Sequence, residues 1–348
     1  MNKLTKVGLS ALCGSLAAVS SANAGDLTVT GGVDMSWVSY GGGESSTGNP
    51  IGMGSNLTFK GSGELDNGWT FDLTVAMLNN DAYSNAVVAF DMGGLGKLNI
   101  NQGDSGNGID ALDDKMPTAW EEPWGAGLGT GIALVSGVGP QSNIQYTSPS
   151  IAGVTLTVAT APDMGTGNVA DKGSGIDDGD TSGAGYDGTL NINPSFGTEI
   201  LSGLNVFVGG HMTENYNETA GLNNYYEAVG GVTFDIGPLS LGYATSGIST
   251  GKTATGTDTD WYKNHMYGIA FNVNDDLSIS YGNHTSQSGY VDTNINESVH
   301  LEVTSIQVAY TMGGASFRYA DIEVDNAAYQ TATAFDKEAQ VISVSLAF

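Results

Sequence analysis

The 348-residue sequence has one arginine, Arg318, and one cysteine, Cys13, and its 10 basic residues face 37 acidic ones, for a net charge of −27. So little positive charge excludes nucleic acid and anionic surfaces as partners, and the excess of carboxylates attracts cations. A single cysteine excludes an internal disulfide, so stability rests on other interactions. Beyond residue 24 there is no apolar run of about 18 residues, which excludes helical membrane spans. Catalytic patterns are missing as well. The four histidines (His211, His265, His284 and His300) show no HExxH pairing, and no GxSxG elbow occurs. GAGLGTG at 125–131 is neither a dinucleotide nor a phosphate-loop pattern. The chain is therefore read as non-enzymatic and without a cofactor. One metal question remains, in GIDDGDTSG: Asp177, Asp178 and Asp180 crowd together as in a surface calcium site, without the spacing or bidentate glutamate of an EF-hand.

What is present argues against disorder, because 40% of residues are hydrophobic and they recur with a period. Residues 1–24 stand apart as a secretory signal peptide. They comprise the two lysines of MNKLTK, the apolar VGLSALCGSLAAV, and the small-x-small site Ala22-Asn23-Ala24, with cleavage before Gly25. Leu12 is too bulky to precede a lipidated cysteine, so Cys13 belongs to this leader. Residues 25–348 are expected to form a single domain.

In that domain polarity alternates with a period of two. Leu57 and Phe59 oppose Thr58, Lys60, Ser62 and Glu64, and Phe71, Leu73 and Val75 oppose Thr70, Asp72 and Thr74. Alternation of this kind marks strands with two different faces. About sixteen such segments run from 26–40 to 338–348. Short turns such as DNG (66–68), DIGP (235–238) and MGG (312–314) alternate with long polar connections such as 41–54, 104–140, 162–183 and 325–337. A soluble sandwich has no reason to gather every short turn at one end. A transmembrane barrel does, and the expected fold is an all-β antiparallel up-and-down barrel of about sixteen strands in the outer membrane. Closure removes sheet edges that lipid could not satisfy. An even strand number puts both termini on the periplasmic side. By parity Asp34, Asp72, Glu227 and Glu302 face the interior, while Trp69, Phe90, Tyr243, Tyr281, Phe317 and Tyr319 face lipid. Between Leu301/Val303 and Ile306/Val308 the apolar phase slips by one residue, which predicts a bulge or a later strand start.

From GDLTVTGGVDMSW after the leader to the terminal VISVSLAF, the sequence resembles the Gram-negative general diffusion porins, in particular the sixteen-stranded trimeric type of α-proteobacteria. The last strand, ending on Phe348, and the long third outer loop carry the resemblance. It implies a homotrimer with one pore per subunit, and a terminal aromatic recognised by the outer-membrane assembly machinery. It also implies that the third loop, 104–140 here, folds into the lumen as the pore constriction. That loop carries Asp104, Asp110, Asp113, Asp114, Glu121 and Glu122 against one Lys115, with Trp120, Pro123 and Trp124 able to pin it to the wall. Family constrictions oppose such acids with a cluster of bases. This chain departs from that pattern, offering Arg318, Lys60 and, near the rim, Lys97. The expected function is passive, cation-preferring diffusion of small hydrophilic solutes and ions through a water-filled channel in the lipid bilayer. The alternatives are a substrate-selective channel with aromatic tracks at Tyr40 and the loop tryptophans, or a secreted acidic β-rich surface protein.

Overall fold

The computed structural model describes residues 24–43, 49–79, 81–139, 141–165, 182–193, 202–215, 222–253, 256, 258–292 and 298–347. Residues 1–23 of the expected leader, the calcium candidates Asp177, Asp178 and Asp180, and Phe348, the expected assembly signal, lie outside the described residues.

Sixteen strands follow one another. The first eight are β1 (Ala24–Gly42), β2 (Ile51–Glu64), β3 (Thr70–Leu78), β4 (Asp81–Asp91), β5 (Lys97–Gln102), β6 (Asn143–Thr147), β7 (Val154–Ala161) and β8 (Ser182–Ile192). The second eight are β9 (Leu204–Asn215), β10 (Tyr225–Ile236), β11 (Leu239–Ser249), β12 (Thr259–Asn272), β13 (Leu277–Tyr290), β14 (Val299–Met312), β15 (Ala315–Asp325) and β16 (Lys337–Ala347). Each pairs antiparallel with the next, and β16 returns to β1 to close the barrel. At the seam Val33 faces Leu346 and Trp37 faces Ile342. Closure leaves no row of unpaired amides, the condition for a sheet in hydrocarbon. The tight turns after β10 and β14 each place a glycine, Gly237 and Gly313, at positive φ (59° and 61°), where a side chain would be strained.

The outer row is apolar over most of the wall. Tyr243, Tyr267, Ile269, Tyr281 and Ile306 are all exposed on it. Large apolar side chains turned outward on every second residue are stable in lipid rather than water. Among the described residues no helix is long and apolar enough to cross a membrane.

One sector reverses this polarity. β14 runs unbroken and in register with both neighbours, so the expected bulge is absent. Leu301 and Val303 are fully buried on the inner face, and Glu302 is exposed on the outer face, bonded to Asn283. The inward placement of Glu302 is thereby corrected. The cause is packing: Leu301 and Val303 join Ile322, Val324, Ala339 and Val341 in an apolar cluster with Ala126 and Leu128 from the β5–β6 connection. Where Ala126 and Leu128 pack on the wall, the hydrophobic phase follows them. On the outside of the same sector Asp321, Glu323, Asp325 and Glu338 are exposed beside Glu302. Exposed carboxylates do not sit in hydrocarbon, so this end of β14–β16 stands clear of it. Leu301→Ala should empty the space beneath the loop at a cost of about 2–5 kcal/mol. A lowered thermal unfolding midpoint of the folded barrel checks this.

Candidate functional site on the inner wall

Between β5 and β6 the chain takes a long excursion, regular only in the short 3-10 turn Gly108–Leu112. Its backbone is fixed to inner-face side chains of one strand after another. Asp187 on β8, His211 on β9 and Glu227 on β10 are successive register partners, and they form one inward row. Asp187 Oδ1 lies 2.5 Å from His211 Nδ1, while its Oδ2 accepts the Ile109 N–H at 2.8 Å and the Val138 N–H at 3.1 Å. Glu227 Oε2 accepts the Ser136 and Gly137 N–H groups at 3.0 and 2.7 Å, and its Oε1 accepts the Tyr225 hydroxyl at 2.8 Å. Both carboxylates are buried, with 6% and 4% exposure. Charge-assisted bonds to backbone amides in so dry a place are strong ones, so the two acids act as clamps.

A neutral clamp works further along the wall. Gln307 on β14 accepts the Thr118 hydroxyl at 2.8 Å and the Glu121 N–H at 2.9 Å, and its Nε2 donates to the Glu121 carbonyl at 2.6 Å. Glycines make room between these points. A Cβ on Gly242 would stand 2.4 Å from the Pro117 ring, and one on Gly282 would stand 2.5 Å from Pro123. Apolar packing fills the rest, with Ile109, Leu112, Met116 and Val135 against Phe207, Val229, Ala244 and Met266. Contacts extend from β6, where Gln145 accepts the Gly108 N–H, to β16, where Val341 lies against Gly127.

Along β1 and β2 the wall borders a cavity of about 730 Å³ lined by Asp34, Asn56, Thr58 and Arg318. Arg318 Nη1 meets Asp34 Oδ2 at 2.8 Å, and the Ser343 hydroxyl donates to Asp34 Oδ1 at 2.5 Å. The guanidinium carbon lies 5.6 Å from the Trp120 ring centre, so the one arginine joins wall to loop by a cation–π contact. Lys60 pairs with Asp72 at 3.2 Å, and Lys97 with Asp91 at 3.6 Å. Lys60 and Arg318 are thus each matched by an acid, which the sequence pattern did not reveal.

The loop acids are unequal. Asp104 accepts the Asn85 amide at 2.8 Å, Asp110 the Gly106 N–H at 2.6 Å and Glu122 the Met116 N–H at 3.2 Å. Burial raises the pKa of Asp104 and Asp110. It pushes Asp113 up to about 7 and Glu122 up to about 8, with neighbouring carboxylates adding to both shifts. Six acids are therefore fewer than six charges at neutral pH. Asp114 and Lys115 are exposed, and the Glu121 carboxylate accepts the Glu122 N–H at 3.3 Å. Trp120 and Tyr40 pack against the apolar cluster, and Pro123 is buried on the wall. Parity turns Glu227 inward without showing that it is clamped, and Asp187 is a further inward acid. The signal for Asp187 was the same parity, since Tyr186 and Leu190 face outward. Among the described residues no group of three or more His, Cys, Asp or Glu is placed to hold a metal ion.

A family model described as Gram-negative porin matches residues 8–296. Among solved structures, an anion-selective porin from Comamonas acidovorans is 15% identical over 93% of this chain and 99% of its own, with a TM-score of 0.64. OmpF of Salmonella typhi in complex with daunomycin is 12% identical over 92% and 97%, with a TM-score of 0.65. The trimer form of OmpT from Vibrio cholerae is 12% identical over 94% and 100%, with a TM-score of 0.62. At these identities the likeness is one of fold. No curated protein sequence matches the chain.

Proposed function

The chain belongs to the Gram-negative porin family, a non-enzymatic class of outer-membrane diffusion channels, and on that footing we propose that residues 104–140 lie inside the barrel and narrow a cation-preferring passage along β1–β3. The observation that carries this reading is the one-sided fixation of the segment. Most of its clamps and apolar contacts lie on β6 to β16, with Asn85 of β4 and Tyr40 of β1 at the margins, and the roomy cavity lies along β1 and β2. Along that passage the bases are matched by Asp34 and Asp72, so Asp114 and the ionised remainder of the loop acids set the sign of the field. A negative potential in a low-dielectric-walled channel concentrates cations. Although the Comamonas acidovorans relative is anion-selective, this chain has a single arginine with which to attract anions. The functional unit is a homotrimer with periplasmic termini, carrying small hydrophilic solutes, exported by the leader and assembled through Phe348. The trimer form of Vibrio cholerae OmpT supports the oligomeric state.

The test is the reversal potential of single channels in a planar bilayer under a potassium chloride gradient. Potassium preference is expected, reduced when Asp110, Asp113 and Asp114 are replaced together by asparagine. Chloride preference would overturn the reading.

A further inference from the structure

On the outer face of β9–β12, near the ends that carry the long connections, the wall is hollow. Ala228, Gly247 and Lys263 are register partners on three adjacent strands, and Gly230 and Thr245 form the next outward row. They floor a trough of about 700 Å³, with Val208 and Tyr226 on one side and Trp261 and Lys263 on the other. The hollow is not forced by crowding within the wall. A Cβ on Gly247 would meet nothing nearer than the Tyr262 carbonyl at 3.8 Å, and one on Gly230 nothing nearer than the Phe207 carbonyl at 3.6 Å. Trp261 is different: its ring lies over Gly289 of β13, where a Cβ would come within 2.2 Å, so the indole is held against the wall.

Charge singles out the same spot. Among the described residues Lys263 is the one lysine or arginine on an outward row of the wall, and it is exposed. Lys60, Lys97 and Arg318 face inward and pair with acids, and Lys337 reaches the Gly129 carbonyl. Lys115 and Lys252 lie on connections. A lone ammonium beside an apolar, aromatic-flanked trough at the end of the strands matches a phosphate headgroup above an acyl chain. Long cationic side chains snorkel to that level, and anionic headgroups attract them.

We infer that this trough binds one phosphate-bearing membrane lipid, with an acyl chain along Gly230 and Gly247 and the phosphate at the Lys263 ammonium. The inference rests on the barrel spanning a membrane and is independent of the channel's selectivity. Native mass spectrometry of the delipidated full-length barrel tests it, with dioleoyl phosphatidic acid and phosphate-free dioleoylglycerol as probes. One phosphatidic acid should be retained per chain, about fivefold more tightly than the diacylglycerol. Lys263→Gln should abolish that preference. Gly247→Leu, which fills the trough, should weaken both lipids by about tenfold, and Gly247→Ala should weaken them less. Each variant should keep wild-type conductance, because neither residue reaches the lumen. Equal binding of the two lipids by the wild type, or unchanged retention by Gly247→Leu, would overturn the inference. So would loss of oligomer in Gly247→Leu without a change in lipid binding, which would mark the trough as a seat for a second copy. Absence of conductance in the wild type would count against the channel while leaving the lipid result readable.

Discussion

Replacing Asp187 and Glu227 together with alanine is expected to free the 104–139 segment, raising single-channel conductance and adding open-state noise. Four backbone N–H groups, of Ile109, Val138, Ser136 and Gly137, lose their acceptors in this variant. A buried donor left without a partner costs about 1–3 kcal/mol. Even at the low end of that range, with water reaching some of the amides, the docked population should fall by about a hundredfold or more. The barrel should survive, because neither carboxylate is part of the strand ladder. Asp187→Asn is the milder control. It keeps an oxygen for the two amides and gives up the charge that meets His211. Conductance and noise unchanged in the double variant would show that the loop is held by something else.

Raising the pH from 5 to 9 is expected to loosen the same loop. The native values of Glu122 and Asp113, about 8 and about 7, stand above the ordinary values of 4.5 and 3.8 that a released loop would show. Between the ordinary and the native value the docked loop holds the proton and the released loop does not. Docking stability is thus fully present below the ordinary values, falls as pH rises through the window, and levels off above the native values. Burial is the main cause, so the effect persists in high salt. Open-state flicker should be rare at pH 5 and frequent at pH 9. Glu122→Gln keeps a carbonyl for the Met116 N–H and removes its share of the pH dependence. Flicker that increases toward low pH would contradict this.

The barrel could be read from the sequence because lipid imposes a rule on every strand. One face must be apolar, the backbone must be paired, and turns must be short on one side. Sixteen strands appear, the number the alternation gives, with ends displaced by a few residues, as at β1, which spans Ala24–Gly42 rather than 26–40. The rule fails at Leu301 and Val303 because period two says that the faces differ without saying which one meets lipid. There the inner face meets Ala126 and Leu128, and the phase reverses. The clamps were hidden for another reason. Parity turns Asp187 and Glu227 inward, but whether an inward acid meets water or an amide depends on residues 49 and 91 positions away. The matching of Arg318 by Asp34 spans 284 positions and closes only with the barrel.

The most direct test of the proposed division of the lumen by residues 104–139 is current block at single introduced cysteines, Cys13 being the chain's one natural thiol. Thr58 lines the open cavity, and Ala244 is fully buried beneath the loop. A cationic thiol reagent should block Thr58→Cys channels quickly and leave Ala244→Cys channels untouched until the Asp187 and Glu227 clamps are removed. Equal block at both positions, or block at Ala244→Cys alone, would contradict the arrangement.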